Sequence, residues 1–158
     1  MANTQAMTTS FMGELMTATH NFGTAPVRAS GATDTFKAAL YLTTATVNAS
    51  TTAYSATNEV SGSGYTAGGV TVSFGTPPTA TNSSATAGVA FVTPSASITY
   101  TNVTLATAFD AVLIYNSTQS DKAVSVHTFG SQTVTAGTFT LTMPANTTST
   151  ALIRLATT

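Results

Sequence analysis

The chain contains no cysteine, which excludes disulfide staples and thiolate metal ligands and leaves the redox compartment open. Charge is almost as scarce. Asp, Glu, Lys and Arg together make up 6% of the residues, against roughly a quarter in ordinary soluble domains. The cations, Arg28, Lys37, Lys122 and Arg154, are spread along the chain, so they form no basic run to neutralise phosphates, and nucleic acid is not an expected partner. No stretch approaches the roughly 20 apolar residues of a membrane-spanning helix, so no membrane partner is expected. Residues 1–5 carry no basic side chain and lead into no apolar segment, so a cleaved secretory signal is not expected either.

Threonine stands where charge is missing, at roughly a quarter of the chain, with many Ala and Ser beside it. Its β-branched side chain is stiff at χ1 and suits a pleated strand, while its hydroxyl keeps an outer face wettable. With a net charge of −1, copies of such a surface meet without electrostatic repulsion. The composition therefore points to a protein packed against copies of itself or a large partner. A length of 158 residues with 42% apolar content suits one globular domain with a real core.

Periodicity predicts an all-β fold. Residues 7–22 are the exception: Phe11, Leu15, Ala18 and Phe22 recur at helical spacing with Met12 and Met16 alongside, Ser10 could cap the start and Gly23 could stop it. An extended arm along a neighbour would bury the same residues. Residues 1–34 are read as this arm or helix with a linker, and 35–158 as a single sandwich domain. Strands are expected at 36–43, 53–60, 70–74, 89–93, 97–101, 109–115, 123–129, 138–143 and 151–155. The segment 109–115 (FDAVLIY) should be central and buried on both faces. Turns are expected at 62–69, 102–107, 116–122 and 132–137, with a long loop at 75–87. Short strands joined by Gly, Pro, Asn and Ser turns predict an antiparallel β-sandwich or jelly-roll-like barrel.

Catalytic chemistry finds little to rest on. His127 shares a strand face with Ser125 and Phe129, but no G-x-S-x-G elbow accompanies it, so a Ser-His-Asp arrangement with Asp110 or Asp121 is not expected and His127 reads as structural or interfacial. The acids Glu14, Asp34, Glu59, Asp110 and Asp121 form no D-x-D cluster for a cation, and a hydrogen bond to a turn, or a Lys or Arg partner, is expected for Asp110. The glycine run at 62–69 lies between strands and does not match a dinucleotide fingerprint. No cofactor, metal or catalytic residue is expected. The sequons at Asn48, Asn82, Asn102, Asn116 and Asn146 follow from the Ser and Thr content and do not argue for glycosylation.

The run 35–42 (TFKAALYL), then 53–69 (AYSATNEVSGSGYTAGG), 109–116 (FDAVLIYN), 122–124 (KAV) and 135–141 (TAGTFTL) is similar to small virion proteins of tailed bacteriophages, in particular capsid decoration (cement) proteins. The resemblance implies a non-catalytic phage structural protein. The small, charge-poor, β-rich composition favours a place on the outer surface of the capsid, binding the major capsid protein and copies of itself, with a trimer, which suits three-fold sites of a shell, preferred to a dimer. In that setting Phe11, Met12, Leu15 and Phe22 are the candidate capsid or subunit contacts, and deletion of residues 1–22 should release the domain from the shell while leaving it soluble. A tail or head-to-tail component (adaptor, tube or fibre-base subunit) is the alternative. A carbohydrate-binding or adhesive sandwich, with Tyr54, Tyr65 and Tyr100 around a groove, is a second.

Overall fold

The strand-period segments fold into two antiparallel sheets in a computed structural model, which describes residues 3–16, 19–20, 22, 33–81 and 88–156. In chain order the elements are β1 (Ala6–Met7), α1 (Thr9–Met16), β2 (Phe36–Leu42), β3 (Val70–Val72), β4 (Thr79–Thr81), β5 (Val89–Val92), β6 (Ile98–Asn116), β7 (Lys122–Leu141) and β8 (Ile153–Ala156). A five-stranded sheet has the order β1-β7-β6-β2-β3 and a three-stranded sheet the order β4-β5-β8. This is the all-β, sandwich-like architecture expected from the sequence.

Along β2 and the second half of β6, both faces of the five-stranded sheet are covered. One face meets a large cluster that includes Phe36, Leu40, Val112 and Ile114 with Val92 and Ile153 of the smaller sheet. The other carries Ala39, Tyr41, Leu113, Tyr115 and Val126 under Ala45 and Val47. A strand covered on both sides has no wet face, so β2 and the second half of β6 read as continuous apolar runs rather than alternating ones. The expectation for 109–115 is met.

The C-terminal half differs from its expected segmentation. The strands expected at 97–101 and 109–115 are one, β6, and those at 123–129 and 138–143 merge into β7. The turns expected at 102–107 and 132–137 are instead bulges within a single hairpin, with register shifts between Tyr100 and Val103, Val103 and Leu105, and Leu105 and Phe109. Asn102 and Ala136 sit at φ 53 and 44 there, a left-handed conformation that bends a strand without ending it. The hairpin consequently folds back on itself. Phe139 pairs in register with Tyr100, yet its ring centroid lies 5.0 Å from that of Phe109 and 5.3 Å from that of Phe129. Only the turn at its tip, expected at 116–122, falls where the sequence places it.

Two further expectations are corrected. Residues 53–60 form no strand; they meet the sheet through isolated bridges, Ala53 to Lys122 and Glu59 to Tyr41, and through single backbone bonds such as Val60 N to Leu40 O. Among the described residues, the helix expected over 7–22 covers Thr9–Met16. Its cap is Thr8 rather than Ser10: the Thr8 hydroxyl accepts from Phe11 N at 3.4 Å and donates to the Ala123 carbonyl at 3.1 Å. Met7 ahead of it is already strand, paired with Ser125. The proposed stop at Gly23 lies outside the described residues, and the 75–87 loop contains β4.

Candidate functional site

Glu59 accepts three hydrogen bonds in the interior of the fold. It sits 9% exposed in the loop between β2 and β3. Its Oε1 accepts from Tyr65 Oη at 2.6 Å and Gly68 N at 2.8 Å, and its Oε2 from Tyr54 Oη at 2.7 Å. A carboxylate taken from water needs such donors to replace its hydration. The Tyr65 hydroxyl also accepts from Leu40 N at 3.0 Å, which ties the loop to β2. The other tyrosines complete the arrangement: Tyr41 donates to Ser55 O at 2.6 Å, Tyr115 to Gly68 O at 2.8 Å and Tyr100 to Ala38 O at 2.8 Å. Tyr54 stacks on Tyr115 at 4.7 Å, and Tyr65 on Tyr100 at 5.9 Å.

Burial pushes the Tyr41 and Tyr115 phenols up to about 12. It raises Tyr54, Tyr65 and Tyr100 further, with Glu59 adding to the shift in each. The glycine run is the turn expected of it, and its backbone lies against the sheet. Gly69 takes φ +72, and a Cβ there would collide with the Ala38 carbonyl. Only glycine fits that approach.

A second polar network pins the N-terminal segment. Glu14 accepts from Lys122 Nζ at 2.6 Å and lies 2.8 Å from His20 Nε2. His20 Nδ1 is 3.1 Å from the amide nitrogen of Asn116, which also donates to Asp34 at 2.8 Å. The Asn116 oxygen accepts from Thr118 N and Gln119 N. Those bonds orient the amide, so its nitrogen donates to Nδ1 and the neutral His20 ring carries its proton on Nε2, toward Glu14. Burial holds His20 below its ordinary range against the pull of Glu14 and Asp34. Burial pushes the Glu14 carboxyl up, but hydrogen bonds from Lys122 and His20 outweigh it and leave the group below the usual range. Asp110 is bonded by Asn3 Nδ2 at 2.5 Å, a partner from the N-terminus rather than the turn or cation expected.

Ser125 and His127 do meet, with Oγ 2.9 Å from Nε2. Both face the main core, since Val112 pairs with His127 and Ile114 with Ser125. Burial lowers His127 to about 4, so the ring is neutral near pH 7. Ser125 is 2% exposed, and among the described residues no carboxylate is a hydrogen-bond partner of His127. A shallow cavity of about 290 Å³ opens beside the pair, lined also by Gln5, Met7, Leu152 and Arg154. Among the described residues no group of three or more His, Cys, Asp and Glu side chains is placed to hold a metal.

The contact residues named from the sequence fall into three groups. Phe11 and Phe22, 0% and 5% exposed, belong to the chain's own main core, with ring centroids 5.8 Å apart. Phe22 in turn stacks on Phe36 at 4.5 Å. Leu15 packs against that core while half-buried. The Met12 side chain lies outside the described residues. Of the tyrosines named for a sugar groove, Tyr100 is 2% exposed and the hydroxyls of Tyr54 and Tyr65 are spent on Glu59.

Sequence reading missed the Glu59 hub. One signal for it was available: a chain with few cations must satisfy a buried acid with hydroxyls and backbone N–H groups, and Tyr54, Tyr65 and the four glycines of 62–69 flank this one closely. The chain matches no protein-family model, no curated protein and no solved structure.

Proposed function

We propose that this chain is a non-catalytic structural subunit of a tailed-phage particle, a decoration protein on the outer surface of the capsid that binds the major capsid protein and copies of itself. One observation carries the reading: the chemistry-bearing side chains serve as internal fasteners. Glu59 and the five tyrosines hold the 52–69 loop to the sheet, while Glu14, His20 and Lys122 hold the N-terminal segment. What they leave to the outside is a neutral surface wetted by Thr and Ser hydroxyls, suited to dense packing among identical neighbours. The resemblance of residues 35–141 to phage virion proteins supports the same assignment. With Phe11 and Phe22 spent internally, the shell contact falls to other exposed surface.

Quantitative mass spectrometry of purified virions tests the reading. The expected result is a copy number close to that of the major capsid protein, with particles lacking the chain losing heat resistance. A single ring's worth of copies would move the assignment to the tail or head-to-tail junction. Absence from purified virions would overturn it.

A further inference from the structure

Sheet edges expose backbone N–H and C=O groups that can pair with another strand, and soluble proteins blunt them with shortness, charge or proline. The four terminal strands of the two sheets are blunted in that way. β1 pairs over two residues, β3 and β4 span three each, and β8 spans four with Arg154 among them. β7 is different. It runs for 20 residues, and on the side away from β6 its pairing among the described residues lies near its start, where β1 meets Ser125 and Val126 and Thr8 N reaches Val124 O. From residue 128 to 141 that outer edge has no backbone partner among the described residues. This stretch contains no charged residue and no proline. Along it Phe129, Val134, Phe139 and Leu141 are only half-buried where they pack on the main core.

We infer that the outer edge of β7 over residues 128–141 is a strand-pairing surface, and that its partner is the same edge of a second copy of this chain. Antiparallel pairing about a twofold axis is self-complementary, because each residue meets a residue of the same strand. An edge bearing charges of one sign would repel its own image under that symmetry. This edge bears none, so it meets itself without electrostatic cost, whereas it offers a charged foreign strand nothing to pair with. A strand added there also satisfies the open N–H and C=O groups and covers the half-exposed sides of Phe129 and Phe139. The contact is between copies and does not depend on the phage assignment. A dimer with no affinity for a capsid would sink that assignment and leave this inference standing.

Analytical ultracentrifugation of the purified full chain provides the test. The chain is expected to sediment as a dimer at micromolar concentration. Exposed Thr133, Thr135 and Thr138 changed together to Lys (T133K/T135K/T138K) should weaken the dimer by about tenfold or more, since like charges then oppose each other across the edge. The triple Lys exchange A56K/S61K/A67K, on exposed positions of the 52–69 loop, should leave the dimer intact with the same added charge. Mixing the edge Lys variant with T133E/T135E/T138E should restore association as a heterodimer. Hydrogen exchange should show amides within 128–141 protected in the wild-type dimer and open in the Lys variant. A wild-type chain that stays monomeric to high micromolar concentration overturns the inference. So does a folded edge Lys variant that dimerises as wild type does.

Discussion

Glu59 carries its three hydrogen bonds without a cation among its donors, so its neighbours are unusually sensitive to small changes. Glu59→Gln turns an acceptor into a donor that faces a hydroxyl or an N–H, and should cost about 1.5–3 kcal/mol in denaturant unfolding. Tyr65→Phe removes the acceptor for Leu40 N as well as a donor to Glu59, and should cost a similar amount. An unchanged midpoint in either variant would mean that the hub does not hold the loop. The tyrosines add a signature at high pH. Their folded-state values lie above the ordinary 10.0, so the folded chain retains protons that the unfolded chain releases. Stability is therefore expected to fall from about pH 10 upward. Tyrosinate absorbance should rise together with unfolding instead of titrating smoothly from pH 10.

The histidines give the opposite limit. His127 is lowered to about 4 by burial, so between pH 6.5 and about 4 the unfolded chain binds a proton there that the folded chain refuses; His20, also lowered by burial, acts in the same direction below pH 6.5. Stability should fall with acidification through that window, with a slope of up to about 1.4 kcal/mol per pH unit for each group. Urea midpoints measured from pH 7 to 4 check this, and His127→Gln should flatten the curve. A wild-type curve flat to pH 4.5 would contradict the buried, neutral state of both rings. The network around His20 could not be read from sequence. His20 and Glu14 are close in the chain, but Asp34, Asn116 and Lys122 reach them only through the fold.

At the scale of elements, the apolar runs were legible and their continuity was not. Strands β2, β3 and β5 lie where residue pattern places them, because each is short and bounded by turn-forming residues. The long hairpin was read as four strands because Asn102 and the Ala136-Gly137 pair look like turn chemistry. Left-handed residues inside a ladder make bulges when the flanking strands keep pairing, and only long-range contacts decide which outcome holds. Ala136 adopts φ 44 at the cost that any residue with a Cβ meets there. Ala136→Gly should therefore leave stability unchanged or raise it by up to about 1 kcal/mol, read as a higher Tm. Gly69→Ala should do the reverse, since the added Cβ meets the Ala38 carbonyl. A loss above about 2 kcal/mol is expected there, and a neutral outcome would mean that the 62–69 turn does not lie against β2.

For the molecule as a whole, the N-terminal segment changes its part. Sequence alone made it a detachable anchor, since amphipathic spacing cannot say whether an apolar face is covered by its own chain or by another. The fold covers it with its own core: Phe11, Phe22, Phe36 and Phe74 are joined through edge-to-face and stacked rings. Asn3 and Thr8 add hydrogen bonds to Val47, Asp110 and Val124. Losing one buried Phe costs about 3–5 kcal/mol, a large share of a typical domain stability of 5–15 kcal/mol. Deletion of residues 1–22 removes two, along with the helix and β1. The truncated chain should therefore lose its cooperative thermal transition and bind a hydrophobic dye, rather than persist as a soluble domain. A truncated chain melting within a few degrees of the full chain would restore the detachable-anchor reading.

Scarcity of charge sets how copies should respond to salt. With 6% charged residues and a net charge of −1, and no charge along residues 128–141, association through backbone pairing and apolar cover has little for salt to screen. The dimer dissociation constant should change by less than about threefold between low and high sodium chloride, where charge-steered interfaces weaken steeply. Sulfate should tighten the same dimer, because excluded salts favour burial of surface. Sedimentation across both salts separates the possibilities. A dimer that dissociates in sodium chloride would place the contact at the scattered cations, such as Lys37 or Arg154, and away from the β7 edge. A dimer indifferent to chloride and tightened by sulfate would place it on the neutral, threonine-wetted surface that makes up most of this chain.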